Sequence, residues 1–260
     1  MESKKVLVVA SNYGVWAEEL QAPWDALRKA GHQLTLATPK GKKPLPLEIS
    51  VDPDFVDPVQ KYPVNPPEVC VRAKELVAGT EWDNPARLRD VSMQDFDAIV
   101  MAGGLGADLD LANNPALHRL ILEAVAADKL VSAMCFAVAA LVFARDPTTH
   151  KSVVYGKKIT AHPRDWDFKD DVSYVLFRGT PDNSGTDVIT PGFVLPLQDL
   201  ATDAVGPDGH CFSDPTTSRT KPSVVLDWPL ITACSVESSI AYGRMIVDVL
   251  AKGATAKASV

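Results

Sequence analysis

The chain has 260 residues, 46% of them hydrophobic, with a formal net charge of −7 and a pI near 5.2. That composition supports a full core and argues against extended disorder and against a basic nucleic-acid-binding surface. The four cysteines, Cys70, Cys135, Cys211 and Cys234, are too sparse for a secreted disulfide framework and lack metal-ligand spacing, so no metal and no cofactor is expected.

The apolar run after Met1-Glu2-Ser3-Lys4-Lys5 is too short for a signal peptide, and no run reaches the length of a membrane span. The expected location is the cytoplasm. Lys5 to Ala10 is Val-rich and predicts a buried first strand. Trp16 to Ala30 places Leu20, Trp24, Leu27 and Ala30 near helical spacing, and Gly31 supplies the C-terminal stop. Gln33 to Thr38 predicts a second strand, so the chain opens with a βαβ unit and a parallel sheet. Pro39 to Pro67 is Pro-rich and aperiodic, which suits either a cover over a site or a plain surface loop. Pro67 to Gly79 reads as a helix. Asp95 to Ala102 reads as a third strand that runs into Gly103-Gly104-Leu105-Gly106. That cluster has neither a Walker Lys nor dinucleotide spacing; it reads as a place of close backbone approach with exposed amides.

Pro115 to Ala127 predicts a helix with Leu117, Leu120, Ile121 and Val125 on one face. Leu130 to Leu141 then passes from an apolar strand to an Ala-rich helix with no Gly, Pro or polar loop between them. Cys135 sits at that corner, where a nucleophile elbow would hold it strained and exposed. The helix amides and dipole are then expected to lower its pKa. A buried Cys packed as a small hydrophobe is the other reading. Gly156 to Pro163 predicts a short strand leading to a loop, and Asp165 to Ser184 shows no clear period. Leu195 to Leu200 resembles an amphipathic turn, Ser223–Asp227 and Leu230–Ala233 a hairpin-like pair, and Ser235 to Leu250 a closing helix. The expected organisation is one α/β domain over residues 1–250 with inserted segments, and a frayed tail over 251–260.

Several stretches together carry a family resemblance. They are Ala17-Glu18-Glu19-Leu20-Gln21-Ala22-Pro23, Gly31-His32, Ala37-Thr38-Pro39-Lys40-Gly41, Phe96 through Gly106, Ala133-Met134-Cys135 and Gly156-Lys157-Lys158-Ile159-Thr160. With them the chain resembles the DJ-1/PfpI superfamily, in its Hsp31-like branch, from about Lys5 to Leu250. The resemblance implies a flavodoxin-like three-layer sandwich with a mostly parallel central sheet, and a homodimer. It implies Cys135 as nucleophile and Glu19, rather than Glu18, as the partner carboxyl. It implies an oxyanion hole from the amides of Gly104 (or Leu105) and Phe136. One departure matters: many members carry His directly after the nucleophile, where this chain has Phe136. His162, in Thr160-Ala161-His162-Pro163, is the candidate to supply that imidazole, against the plain reading of a polar loop residue.

A thiolate and a carboxylate cannot both ionise side by side. The expectation is therefore a coupled pair, with Glu19 raised and protonated and Cys135 lowered. Trp16, Trp24 and Trp166 are candidates for an aromatic pocket wall, or else core residues. Glu18, His32, His118 and His150 are expected at the surface, and Asp214 is a candidate to cover the pocket. Phe136 predicts a drier pocket, weak methylglyoxal turnover and a more apolar substrate. The function expected is a cysteine-dependent hydratase, lyase or glyoxalase III-like enzyme acting on a small electrophilic metabolite. A holdase without turnover, or a PfpI-like peptidase or amidase, are the alternatives; the missing adjacent His weakens the last.

Overall fold

The computed structural model describes residues 2–168 and 195–253, together with the short strands at 174–175 and 189–190. In chain order the elements are β1 (Lys5–Val9), α1 (Ala17–Lys29), β2 (Gln33–Thr38), α2 (Pro67–Ala78), β3 (Ala86–Arg87), β4 (Ala98–Met101), α3 (Gly106–Asp110), α4 (Pro115–Ala126) and β5 (Leu130–Met134). There follow α5 (Val138–Phe143), β6 (Lys158–Thr160), α6 (Arg164–Asp167), β7 (Tyr174–Val175), β8 (Ile189–Thr190), α7 (Leu197–Val205), β9 (His210–Phe212), β10 (Val224–Asp227), β11 (Leu230–Ala233) and α8 (Ser239–Lys252). The remainder of the aperiodic stretch, and residues 254–260 of the expected tail, lie outside the described residues.

Seven strands form one sheet in the order β10-β11-β5-β4-β1-β2-β3. Its pairs are parallel except β10 with β11. Successive side chains point to opposite faces. Val6 and Val8 of β1 therefore pack with Leu20 and Trp24 of α1 and Tyr242 and Ile246 of α8. Leu7 and Val9 pack in the other core with Leu117 and Leu120 of α4 and Leu141 of α5. Burial on both faces explains why β1, β4 and β5 are apolar at nearly every position. Helices cover the sheet on both sides, as in the flavodoxin-like sandwich that the resemblance implied.

The strand order reverses at β1, with β2 on one side of it and β4 on the other. In open α/β sheets the crevice beyond the carboxyl ends of the strands at such a point is where ligands bind. The Gly103–Gly106 turn after β4, Cys135 after β5 and Ser235 after β11 all lie at those carboxyl ends. The Pro-rich excursion folds back toward them. Asn65 Nδ2 donates to the carbonyls of Ile49 and Asp52, at 2.7 and 2.9 Å, and Val56 bridges Pro63.

Some elements differ from expectation. β3 has two residues and cannot display an alternating pattern. β9 lies in a Gly- and Asp-rich stretch with no strand signal of its own; it is held by parallel pairing with β6, Lys158 opposite His210, a distant partner that local composition does not reveal. Among the described residues no helix is long and apolar enough to cross a membrane.

Candidate active site

The corner after β5 forms because the strand stops at Met134 and the next residue takes a left-handed turn. Cys135 has φ +51°, a conformation uncommon outside glycine. A 3₁₀ turn over Cys135–Ala137 then leads into α5. The corner residue is buried, at 6% exposure, rather than exposed as the elbow reading expected. Gly103 and Gly104 explain why the neighbouring turn needs glycine. A Cβ on Gly103 would lie 2.5 Å from Glu19 Oε2 and 2.8 Å from Cys135 Cβ. Gly104 has φ +98°, and a Cβ there would lie 2.3 Å from the Trp16 amide nitrogen. The Gly run lets its backbone press against the thiol and the carboxyl together. Gly103→Ala is therefore expected to push Glu19 off Cys135 and to lower turnover by about 10²-fold, the scale of a small misplacement of reacting groups. Steady-state kinetics beside a circular-dichroism check of folding would measure it.

Glu19 lies in the first turn of α1 and is buried. Burial pushes its carboxyl up to about 8, against the hydrogen bond with Cys135 and the charge of His162, which pull it down. Its Oε2 has no hydrogen-bond partner among the described residues. Burial also pushes the Cys135 thiol up, and the Glu19 charge adds to this, while the amides of Gly104 and Phe136 pull it down. The expectation of a lowered thiol is thus corrected. Desolvation outweighs the dipole of a helix only six residues long that starts behind a 3₁₀ turn. The raised Glu19 agrees with expectation. The pair stays neutral at neutral pH and carries at most one charge between its two members.

Cys135, Glu19, Gly104, Leu105, Phe136, His162, Trp16 and Trp166 all line one cavity of about 50 Å³. The structure does not bring Trp24 there. Its ring packs in the core between α1 and α8, and its Nε1 donates to Glu81 at 3.1 Å. His162 Nδ1 lies 2.5 Å from Asp167 Oδ1. Its ring centroid is 5.1 Å from that of Phe136 and 5.4 Å from that of Trp166. Burial pulls the imidazole down, but Asp167 outweighs it and the net direction is up. Asp167 itself is pushed up by burial against the pull of His162. The imidazole therefore keeps its proton to a higher pH than an ordinary histidine.

Other site residues were not singled out from the sequence. Asp57, Gln60 and Val64 of the Pro-rich excursion form part of the cavity wall, so this segment covers the site. Ser235, Val236 and Glu237, after β11, form another part. Glu18, expected at the surface, is buried at 1% exposure. Arg219 grips it with two bonds, Nη1 to Oε1 at 2.7 Å and Nη2 to Oε2 at 2.6 Å. Asp214 does not reach the cavity; it braces its own loop through Thr216 and Lys221, and Arg219 is the residue of that loop that reaches inward. His32 is buried too, and its Nδ1 accepts from the Lys4 amide at 3.1 Å.

A family model described as ThiJ/PfpI family-like matches residues 10–163. The chain is 27% identical over 172 residues to a glutathione-independent glyoxalase of Schizosaccharomyces pombe, which covers 60% of this chain and 66% of that protein. It is 26% identical over 188 residues to glyoxalase 3 of Candida albicans, covering 72% and 71% of the two chains. The alignments thus span about two thirds of those relatives' lengths. Among solved structures, the 24 kDa rapid encystment protein of Francisella tularensis superposes with a TM-score of 0.69 at 21% identity, over 95% of this chain and 99% of that one. Glyoxalase III of Candida albicans superposes with a TM-score of 0.66 at 20% identity, over 94% and 96%. At those identities the superpositions establish the shared fold.

Proposed function

The chain belongs to the ThiJ/PfpI family, on the Hsp31-like side of the DJ-1/PfpI superfamily, and from that premise we propose that it is a cysteine-dependent glyoxalase of the glutathione-independent type. It would convert a small 2-oxoaldehyde to a 2-hydroxy acid. The observation that carries this reading is the joint presence of Cys135, Glu19 and the His162–Asp167 pair on one cavity of about 50 Å³. The relatives named glyoxalases support it. A cavity of that size suits a small-molecule substrate. Weak methylglyoxal turnover was expected from the missing imidazole after Cys135; His162, the candidate to supply one, lines the cavity.

The proposed chemistry follows from a neutral thiol beside a neutral carboxyl. Sulfur bonds to the aldehyde carbon as Glu19 takes the thiol proton and gives its own to the carbonyl oxygen, so the carboxyl ends unchanged. The amides of Gly104 and Phe136 stabilise the charge that develops on that oxygen. His162, oriented by Asp167, then carries the C1 proton to C2 while the O1 hydroxyl proton passes to O2. The product of that step is a thioester. Water cleaves it to the 2-hydroxy acid and restores the thiol.

The test is turnover of methylglyoxal without glutathione, with lactate as the measured product and Cys135→Ser as the inactive control. Absence of lactate from wild type would sink the reading. The pH profile carries a sign for each group. The rate should rise on the acid side as His162 loses its proton, at a pH above the ordinary imidazole value of 6.5 because Asp167 raises it. It should fall through about pH 8 as Glu19 loses the proton it must donate. His162→Ala should remove the acid limb and slow turnover by about 10²-fold.

A further inference from the structure

The cavity beside Cys135 holds a second glutamate that the proposed reaction does not use. Glu237, in the turn after β11, is 3% exposed and lines the cavity. Its Oε1 accepts from the Tyr62 hydroxyl at 2.6 Å and its Oε2 from the Ser235 hydroxyl at 2.5 Å. Both oxygens thus act as acceptors, the pattern of an ionised carboxylate. Among the described residues the cation on this side is Arg219, and it is committed elsewhere. Its two terminal nitrogens hold Glu18, and Nη2 also donates to the Val64 carbonyl at 2.7 Å.

The charges around the sulfur therefore do not cancel. Glu18 is balanced by Arg219, and Asp167 by His162 for as long as that imidazole is protonated. Glu19 is neutral at neutral pH, held so by burial and, in lesser part, by the Glu237 charge itself. Glu237 and Asp57 remain, and among the described residues lining the cavity there is no Lys or Arg. A fixed charge in a small, buried cavity is screened far less by salt than one at the surface. An anion entering it would also leave water and meet no Lys or Arg among the described lining residues.

We infer that Glu237 is a specificity residue: its carboxylate makes the Cys135 site admit neutral carbonyl electrophiles and turn away anions of the same size, such as 2-oxo acids. The inference rests on the reading of Cys135 as the reacting thiol but does not need turnover. It can therefore be read on the sulfur alone, with two alkylating agents of nearly equal size. In both, sulfur displaces iodide from carbon and the thiol proton goes to solvent; iodoacetamide is neutral and iodoacetate an anion.

The rates of both should be measured at the Cys135 peptide by mass spectrometry, since half-buried Cys211 can also react, and expressed relative to the same two rates for glutathione. Wild type should prefer iodoacetamide by about tenfold or more beyond glutathione's own preference. Glu237→Gln should remove most of that preference by speeding iodoacetate. Tyr62→Phe keeps the charge and should keep the preference. A wild-type ratio equal to that of glutathione overturns the inference, as does an unchanged ratio in Glu237→Gln or an equal collapse in Tyr62→Phe. If Glu237→Gln does not fold, wild type alone still decides. Methylglyoxal should protect Cys135 from iodoacetamide at concentrations about tenfold lower than glyoxylate, its anionic counterpart of the same heavy-atom count, and equal protection overturns the claim. Discrimination without lactate formation would leave the inference standing and remove the proposed reaction; lactate formation without discrimination would do the reverse.

Discussion

Replacing Glu19 by Gln is expected to lower kcat/KM for methylglyoxal by about 10²-fold or more and, at alkaline pH, to make the protein more stable. Both effects have one cause. The carboxyl is buried beside the thiol and its proton is held up to about pH 8, where an ordinary Glu would release it near 4.5. Gln keeps the shape and a hydrogen bond but cannot exchange a proton between sulfur and carbonyl oxygen, so the addition step loses its relay. The stability effect follows from linkage. A carboxyl raised in the folded state binds a proton that the unfolded chain has released, so it costs nothing below pH 4.5. The cost then grows as pH rises and is complete by about pH 8. The variant carries no such cost. Its thermal midpoint relative to wild type should climb between pH 5 and about pH 8 and level off beyond, by an amount of a few kcal/mol in free energy. A pH-independent difference would show that Glu19 is not held neutral, and unchanged turnover would show that it moves no proton.

The parts of this site that were legible in the sequence are those whose signal is local. The jump from apolar strand to Ala-rich helix marks Cys135 and the Gly run marks a backbone pressed against something, whereas Glu19 was distinguished from Glu18 only by the family resemblance. The sheet was legible for the same reason, since β1 and β4 are near-continuous apolar runs and β2 mixes apolar with polar positions in an extended stretch after the Gly31 stop. The direction of the Cys135 shift was not. It depends on how much water reaches the sulfur, and burial is a property of the assembled layers and of the excursion packed over them. Trp24 was misplaced because a tryptophan on a helix face carries the same pattern whether that face meets a pocket or a core.

The remaining residues of the site meet only through the fold. Tyr62 and Glu237 are 175 positions apart, and Glu18 and Arg219 are 201 apart. No spacing rule joins such residues, and each alone reads as an ordinary surface polar group. Glu18 and Glu19 are adjacent, yet both are buried, because the first turn of α1 is wedged between the sheet end on one side and the excursion with the Arg219 loop on the other. A lone amphipathic helix offers only one buried face, and that is why Glu18 read as exposed.

The largest loss of stability is expected from Arg219→Ala. It leaves the Glu18 carboxylate buried without its partner, and breaking a buried pair in this way costs about 3–5 kcal/mol. The lower end is the better expectation, because the Arg219 side chain is 31% exposed while that of Glu18 is 1% exposed. The same asymmetry ranks the variants. Burial pushes the Glu18 carboxyl up more than Arg219 pulls it down, so the desolvation cost falls on the acid. Glu18→Gln removes that buried charge and leaves an arginine that can reach water, so it should cost less than Arg219→Ala. The double variant, with neither charge, should recover most of the loss. The effect should also depend on pH. An orphaned Glu18 can relieve its burial by taking a proton, so the loss in Arg219→Ala should be full near neutral pH and shrink as pH falls toward the ordinary carboxyl value of 4.5. Urea unfolding of the four proteins at several pH values measures all of this. Turnover should fall with stability, because Arg219 also holds the carbonyl of Val64 and so fixes the excursion that walls the cavity. If Glu18→Gln proves the costlier change, the carboxylate is stabilising in its own right, and the account of a buried acid tolerated only for its partner fails.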